Sequence, residues 1–200
     1  MRRKTFDIVA SWVGVAGVIV LLVAGSLLAW GASYTKSNVH SQLAAQEIYF
    51  PPKSAFAHPV AGTEITPSMI PSVSQYAGQQ LLTGAQAKVW ADDFIAVHLR
   101  EMPYHGLYAK ISAAALKEPT NAKLQELVQV SFRGTTLRGL LLEAYGFATV
   151  GTVMMWASIA AFALAALLAL LVVLGFRHAR RTEPEAELLR IRDREPVPTT

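Results

Sequence analysis

The sequence has no cysteine, and it has few charged and few aromatic residues for its length. Of the 200 residues, 16% are charged and 9% are aromatic, and 18 Lys and Arg face 14 Asp and Glu. Without cysteine the chain has no disulfide, no catalytic thiolate, no cysteine-ligated zinc site and no iron–sulfur cluster. A formal charge of +4 without a basic stripe does not indicate nucleic-acid binding.

Hydrophobic residues make up 52% of the chain, and they concentrate in two uncharged runs. At about 1.5 Å per residue, residues 8–30 and 147–176 are both long enough to cross a hydrocarbon core of about 30 Å. We expect each run to be a transmembrane helix. The alternative for the first run is a signal peptide, but its apolar core exceeds the usual length of about 7–15 residues. We therefore expect an uncleaved anchor.

Basic residues flank the two runs on the sides away from the middle of the chain. They are Arg2, Arg3 and Lys4 before the first run, and Arg177, Arg180 and Arg181 after the second. The positive-inside rule therefore predicts that residues 1–7 and 177–200 are cytoplasmic and that residues 31–146 lie outside. The composition of the tail predicts disorder from Thr182 onward, apart from a short helix at 185–192.

Small residues recur along both runs at spacings near four. The predicted helix-packing residues are Gly14, Gly17, Ala157, Ala161, Ala165 and Ala169. Small side chains let helix backbones approach closely in lipid. We expect the two helices to pack on each other or on the helices of a partner. Neither run contains an ionisable residue, which argues against an ion or proton path through them.

The middle of the chain shows helical patterns and no strand pattern. The predicted helices of this region cover 37–50, 73–82, 85–102, 107–116 and 122–132. Pro103 ends the longest of them, and Gly134 is predicted to end the last. From Thr136 the apolar pattern continues without proline into the second run. The predicted fold is all-α, and its last outer helix is continuous with the second transmembrane helix.

Residues that carry chemistry are few, and we predict no catalytic or cofactor-binding residue. The serines lack a nucleophile elbow, and there is no phosphate-binding loop. His98 and Glu101 lie one helical turn apart, and His105 follows beyond the next turn, so these three are the candidates for a transition-metal site. The alternative, which we favour, is that His98 packs inside the domain while Glu101 is solvated.

Residues 104–108, Tyr-His-Gly-Leu-Tyr, form the most unusual local string of the chain. Its aromatic and polar side chains make Tyr104, His105 and Tyr108 candidates for a contact loop, because binding residues gather on loops that a rigid scaffold holds. The alternative is that the loop only joins two helices.

Three longer strings carry a family resemblance. They are QLAAQEIYFPPK at 42–53, QYAGQQLLTGAQAKVWADDFIAVHLREMPYHGLYAKISAAA at 75–115 and LRGLLLEAYGF at 137–147. They resemble a family of uncharacterised two-span membrane proteins from actinobacteria. Some members are labelled aromatic ring-opening dioxygenases, a chemistry that needs iron held by two histidines and a carboxylate. The resemblance implies the two-span architecture and no site residues.

We therefore expect a non-enzymatic accessory or scaffold protein of the bacterial cell membrane, without a cofactor. Its expected partners are the lipid bilayer and other membrane proteins or a second copy of itself. The contacts would come from the outer domain and the small-residue helix faces. Two alternatives stay open. One is a small-ligand sensor with a pocket beside the 85–102 helix, and the other is a metalloenzyme that uses His98, Glu101 and His105.

Overall fold

The computed structural model describes residues 3–61 and 63–181. The structure is 83% helical, and the part of the chain that it describes contains no strand. Tyr49 and Gln80 form an isolated antiparallel bridge. The predicted all-α fold is confirmed, whereas the predicted disorder and short helix of the C-terminal tail lie outside the described residues.

Two long helices, one at each end of the described chain, dominate the fold. Helix α1 covers Arg3–Ala44 and helix α6 covers Ala122–Arg181. The most apolar stretches of the two have mean hydropathies of 2.5 and 2.9, and only 11% and 6% of those stretches is buried in the protein. Both helices are long and apolar enough to cross a membrane. Because their apolar side chains lie on the surface, the pattern indicates embedding in lipid.

Short elements fill the chain between the long helices. The α-helices are α2 at Ile70–Val73, α3 at Gly84–Val89, α4 at Ala96–Glu101 and α5 at Tyr108–Lys117. A π-helix at Trp90–Ile95 joins α3 to α4. Turns of 3₁₀-helix lie at Lys53–Phe56, Pro67–Met69, Ser74–Tyr76 and Pro103–Gly106.

The chain divides into two compact units. The hairpin unit comprises Met1–Trp30 and Met154–Thr200, of which the structure describes residues 3–30 and 154–181. The helical domain comprises Gly31–Val153.

In the hairpin unit, α1 and α6 run antiparallel. The ring of Trp12 lies 6.0 Å from that of Phe176, and further along the pair the Ser158 hydroxyl donates a hydrogen bond of 2.8 Å to the Gly25 carbonyl. The buried and half-buried positions of α6 follow spacings of alternately four and three residues. They include Met154, Ser158, Ala161, Ala165, Leu168, Val172, Gly175 and Ala179. A mean spacing of about 3.5 residues is typical of helix pairs that coil around each other with a left-handed twist.

The predicted stripe of alanines lies only partly on this contact face. Ala161 and Ala165 are buried and Ala169 is half-buried, but Ala157 is exposed. A four-residue step advances about 400° around the helix, so the stripe turns away from the partner by about 40° per step. Alternating steps of three and four stay against the partner instead.

The two predicted glycines of α1 do lie on the contact face. A Cβ atom added to Gly14 would lie 2.5 Å from Cγ2 of Val172, and one added to Gly17 would lie 3.0 Å from Cδ2 of Leu168. The missing side chains therefore let the two backbones approach each other.

The helical domain has a core of large apolar side chains. Its buried members are Val39, Leu43, Phe50, Ile65, Met69, Val73, Leu81, Ala87, Ala91 and Leu141. Phe50 lies at the centre, with its ring 5.1 Å from that of Tyr76 and 5.0 Å from that of Trp90. Fully burying one such ring contributes about 1.5–3 kcal/mol relative to leaving it exposed.

Two predicted helices of this domain are shorter than expected. The predicted 37–50 helix is the end of α1, which stops at Ala44. Glu47 then takes a positive φ of 53°, and the extended Phe50 donates its N–H to the Gln79 carbonyl at 2.9 Å. The predicted 73–82 helix ends at Tyr76, because Gly78 takes a positive φ of 72°. Such a backbone favours glycine and ends a helix.

The predicted helix end at Gly134 is wrong, because α6 runs through it without a break. A Cβ atom at Gly134 would lie 2.9 Å from a methyl group of Leu99. The glycine therefore provides room for Leu99 to pack against α6. Asn121 begins α6 by accepting the N–H of Leu124 at 3.2 Å on its side-chain oxygen.

The predicted 85–102 helix consists of α3, the π-helix and α4. Thr83 and Gln86 form a capping box at its start, and the Gln86 side-chain oxygen also accepts the Leu82 N–H at 2.8 Å. Within the π-helix, the rings of Trp90 and Phe94 stack at 4.3 Å. The apolar spacing therefore predicted the extent of this segment well, but not its wider central turns.

Candidate functional site

The predicted contact loop has an unusual backbone. Tyr104, His105 and Gly106 have consecutive positive φ angles of 57°, 55° and 65°. For residues with a Cβ atom, this left-handed region costs about 1–2 kcal/mol each. Surrounding contacts must therefore impose the conformation.

Two contacts at Gly106 hold the loop in place. The buried Ser131 hydroxyl of α6 donates a hydrogen bond of 2.7 Å to the Gly106 carbonyl. Any side chain on Gly106 would collide with the backbone carbonyl of Leu99, so only glycine fits. The loop is thereby attached to both α4 and α6.

The side chains of this loop point largely into solvent. Tyr104, Leu107, Tyr108 and the neighbouring Phe132 are 46%, 49%, 43% and 52% exposed, and the rings of Tyr108 and Phe132 lie 5.8 Å apart. We call these four side chains the contact surface. His105 is exposed beside them. The loop that joins α4 to α5 therefore presents apolar groups outward.

The three metal candidates are not assembled. His98 is half-buried, with its ring 4.7 Å from that of Phe94, whereas Glu101 and His105 are exposed. Nδ1 of His98 lies 2.9 Å from the Phe94 carbonyl oxygen, and it carries the proton because a carbonyl oxygen can only accept. Over residues 3–61 and 63–181, no three His, Asp or Glu side chains form a group able to hold a metal ion. The ring contact with Phe94 and this hydrogen bond therefore account for the position of the His98 side chain.

Asp92 of the π-helix is the centre of an ion-pair network. Its two carboxylate oxygens lie 2.7 Å from Lys88 Nζ and 2.7 Å from a guanidinium nitrogen of Arg138 in α6. The hydrogen bond from Lys88, with that from Arg138, lowers the pKa of Asp92, although partial burial opposes the shift. The hydrogen bond to Asp92 likewise raises the pKa of Lys88. The network ties the π-helix to α6 and is not poised for proton transfer near neutral pH.

A groove of about 470 Å³ lies within the helical domain, between the end of α1 and the middle of α6. The wall on the α1 side consists of Gln46, which follows the end of the helix, and of the α1 residues Tyr34, Thr35, Asn38, Val39, Gln42 and Leu43. Its α6 wall consists of Leu137, Leu140, Leu141, Glu143, Ala144 and Phe147. None of its lining residues belongs to the 85–102 segment, beside which the small-ligand alternative places a pocket.

Amide side chains run along the α1 wall of the groove at intervals of one turn. The Asn38 amide donates to the Tyr34 hydroxyl at 3.5 Å, and the Gln42 amide donates to the Asn38 side-chain oxygen. Gln46 lines the groove from the turn that follows α1. The i, i+4 spacing of Asn38 and Gln42 predicts a polar ridge on α1, but the apolar wall opposite it depends on how α6 packs against α1.

Comparisons of the chain with protein-family models, with curated proteins and with solved structures found no match. The family resemblance of the three strings therefore stays a prediction, and functional arguments for this chain depend on its own geometry.

Proposed function

We propose that the chain is a non-enzymatic accessory protein of the bacterial cell membrane. Its helical domain binds another membrane protein, or a second copy of the chain, through the contact surface. The observation that carries the proposal is the contact surface itself, in which Phe132 of α6 and three exposed side chains lie at or next to a turn held by Ser131 and Gly106. Apolar clusters in exposed, well-held loops are typical of protein-interaction sites.

The packing of the hairpin unit supports assigning the partner to the helical domain. Gly14, Gly17, Ala161 and Ala165 contact or face the opposite helix of the same chain. A small-residue face that is already occupied within the chain is not open to a second protein. The lipid-facing sides of both helices then serve mainly as an anchor.

We further propose that both ends of the chain are cytoplasmic and that residues 31–146 lie outside. The basic residues before the first apolar run and after the second support this orientation. A reporter enzyme that is active only outside the cytoplasm tests it when fused at Ala85. Activity of the fusion agrees with the proposal, and activity of a cytoplasm-only reporter at the same position contradicts it.

Site-specific photocrosslinking in native membranes tests the partner proposal. A benzophenone amino acid replaces Tyr104 in one variant and Tyr49 in a control variant, because Tyr49 is a similarly exposed aromatic residue elsewhere in the same domain. We expect an adduct of defined mass from position 104 and none from position 49. Absence of an adduct at 104, or an equal adduct at 49, contradicts the proposal.

The groove favours a second candidate function, the binding of a small ligand. Its volume falls within the range of about 300–1,000 Å³ that is usual for small-molecule sites. A thermal-shift screen of the purified full-length protein tests this function. We expect one chemical class to raise the unfolding temperature and Leu140→Asn to remove the shift. A screen in which no class stabilises the protein contradicts it.

A further inference from the structure

The groove of the helical domain has two chemically different walls. The α1 wall presents the amides of Asn38, Gln42 and Gln46, whereas the α6 wall presents mainly Leu137, Leu140 and Phe147. A ligand that fills the groove must satisfy hydrogen-bond donors on one side and cover apolar surface on the other. Such a ligand is amphiphilic.

One formal charge lies in the lining of the groove, the carboxylate of Glu143. Within the part of the chain that the structure describes, Glu143 makes no ion pair and its carboxylate accepts no hydrogen bond. An anionic ligand would place like charges together, whereas an ammonium group would offset the charge of Glu143. The charge of the lining therefore favours a ligand with a cationic amine.

The lining residues adjoin the two apolar runs in the sequence. They begin at Tyr34, four residues after Trp30, and they end at Phe147, where the second run starts. The lining is therefore adjacent in sequence to both of the runs that suit a hydrocarbon core. Membrane lipids are the amphiphiles that are abundant beside such runs.

The size of the groove argues against a partner helix as its occupant. A helix is about 10–12 Å across, and two or three turns of it exceed the 470 Å³ that the groove offers. A single lipid chain with part of its headgroup is a slimmer occupant.

We propose that the groove binds one zwitterionic phospholipid with a primary amine, of the phosphatidylethanolamine type. The ammonium group lies against Glu143, the phosphate and ester oxygens accept hydrogen bonds from the Asn38 and Gln42 amides, and an acyl chain covers Leu140 and Phe147. The inference rests on the membrane embedding of the chain and is independent of the contact surface.

Native mass spectrometry of the full-length protein in mild detergent tests the headgroup preference. The protein is mixed with equal amounts of phosphatidylethanolamine and phosphatidylglycerol that carry identical acyl chains. We expect the wild type to retain the ethanolamine lipid about two- to fivefold more than the glycerol lipid, the range that one solvent-accessible charge pair supplies. Glu143→Gln should bring the ratio to about one, because it removes the charge and keeps the shape.

The matched control is Glu126→Gln, which removes an exposed carboxylate from the same helix outside the groove and should keep the wild-type ratio. Leu140→Asn should reduce retention of both lipids without changing their ratio, while circular dichroism shows an unchanged helix content. Equal retention of the two lipids by the wild type, or an unchanged preference in Glu143→Gln, overturns the proposal.

A photoreactive acyl chain on the ethanolamine lipid locates the site. We expect the label on peptides that contain residues 34–46 or 137–147. A label confined to the two apolar runs overturns the proposal, as does occupation of the groove by a crosslinked protein. Because Tyr104 and Tyr49 lie outside the groove lining, the outcome does not depend on whether the partner proposal holds.

Discussion

The hairpin unit and the helical domain are packed by different kinds of side chain. The hairpin contact uses Gly14, Gly25 and Ala165, whereas the domain core uses large groups such as Phe50 and Met69. Lipid tails are as apolar as leucine, so helices in a membrane gain most from close backbone approach. In water, burying large apolar surface is the main gain. The contrast indicates that each unit is stabilised for a different solvent.

The largest expected effect comes from emptying the domain core. Phe50→Ala should destabilise the helical domain by about 3–5 kcal/mol, because it leaves a cavity beside Trp90 and Tyr76. Hydrogen–deuterium exchange in detergent should then speed up at least a hundredfold at the Leu81 amide, which bonds to Ile48 within this core. Tyr49→Ala removes an exposed neighbour and should change little. Equal acceleration in peptides from residues 155–170 would show that the two units are not packed independently.

The next effect comes from overfilling the hairpin contact. Ala165→Leu should destabilise the helix pair by about 1–3 kcal/mol, because Ala165 is buried at the contact and no space receives the added atoms. Unfolding in mixed micelles of dodecyl sulfate and mild detergent measures the change. Ala157→Leu on the exposed side is the matched control and should stay within about 0.5 kcal/mol. If both variants lose the same stability, the α6 face with alternating spacings of four and three residues is not the one that stabilises the helix pair.

A smaller effect depends on pH and concerns the helical domain alone. Because the pKa of Asp92 is lowered in the folded protein, the carboxylate stabilises the fold fully above its unfolded pKa of about 3.9, and this contribution disappears as the pH falls through the folded pKa. The pKa of Lys88 is raised, so its contribution is full below about pH 10.4 and disappears at higher pH.

The stability difference between wild type and Asp92→Asn should therefore be largest between about pH 5 and pH 9 and should shrink below pH 4. Chemical unfolding of the helical domain at several pH values measures it. The loss from Asp92→Asn should not exceed about 1 kcal/mol, because water partly screens the carboxylate. Asp93→Asn is the control, and a loss that is the same at pH 3 and pH 7 argues against the network.

The smallest expected effect is that of one hydrogen bond between the two helices of the hairpin. Ser158→Ala removes the bond to the Gly25 carbonyl and should cost about 0.6 kcal/mol, the average measured for such bonds between membrane helices. Ser26→Ala is the matched control, because its hydroxyl bonds to Leu22 within its own helix. The same micelle titration compares the two. A larger loss from Ser26→Ala would mean that bonds within a helix matter more than bonds across the pair.

Where sequence patterns failed, a contact with a distant residue explains the failure. Gly134 has the local character of a helix end, yet it lies inside α6 because Leu99 packs against it. The alanines at every fourth position suggested a stripe, but twisting of the helix pair selected alternate spacings of three and four. The groove between α1 and α6 has no counterpart in the sequence patterns, since its walls come from segments about a hundred residues apart in the chain.

The contact loop also combines features that the sequence indicates with features that distant contacts impose. Its aromatic composition was sufficient to single out Tyr104, His105 and Tyr108. Nothing in the composition indicated three consecutive residues with positive φ, because that backbone is imposed by Ser131 and by the close approach of Leu99 to Gly106. Among the described residues His98, Glu101 and His105 are not brought together for a similar reason, since spacing along one helix does not orient a histidine beyond a turn.

The sequence by itself determined that the chain is all-α, that two of its helices suit a membrane and that the last helix enters the second apolar run without a break. Composition and periodicity decide these properties because each residue contributes to them locally, through the helix that it belongs to and the solvent that surrounds it. Only the tertiary structure decided which small residues face the opposite helix, how the contact loop is held and where the groove lies. Those properties depend on side chains far apart in the chain, and no local pattern records which of them meet.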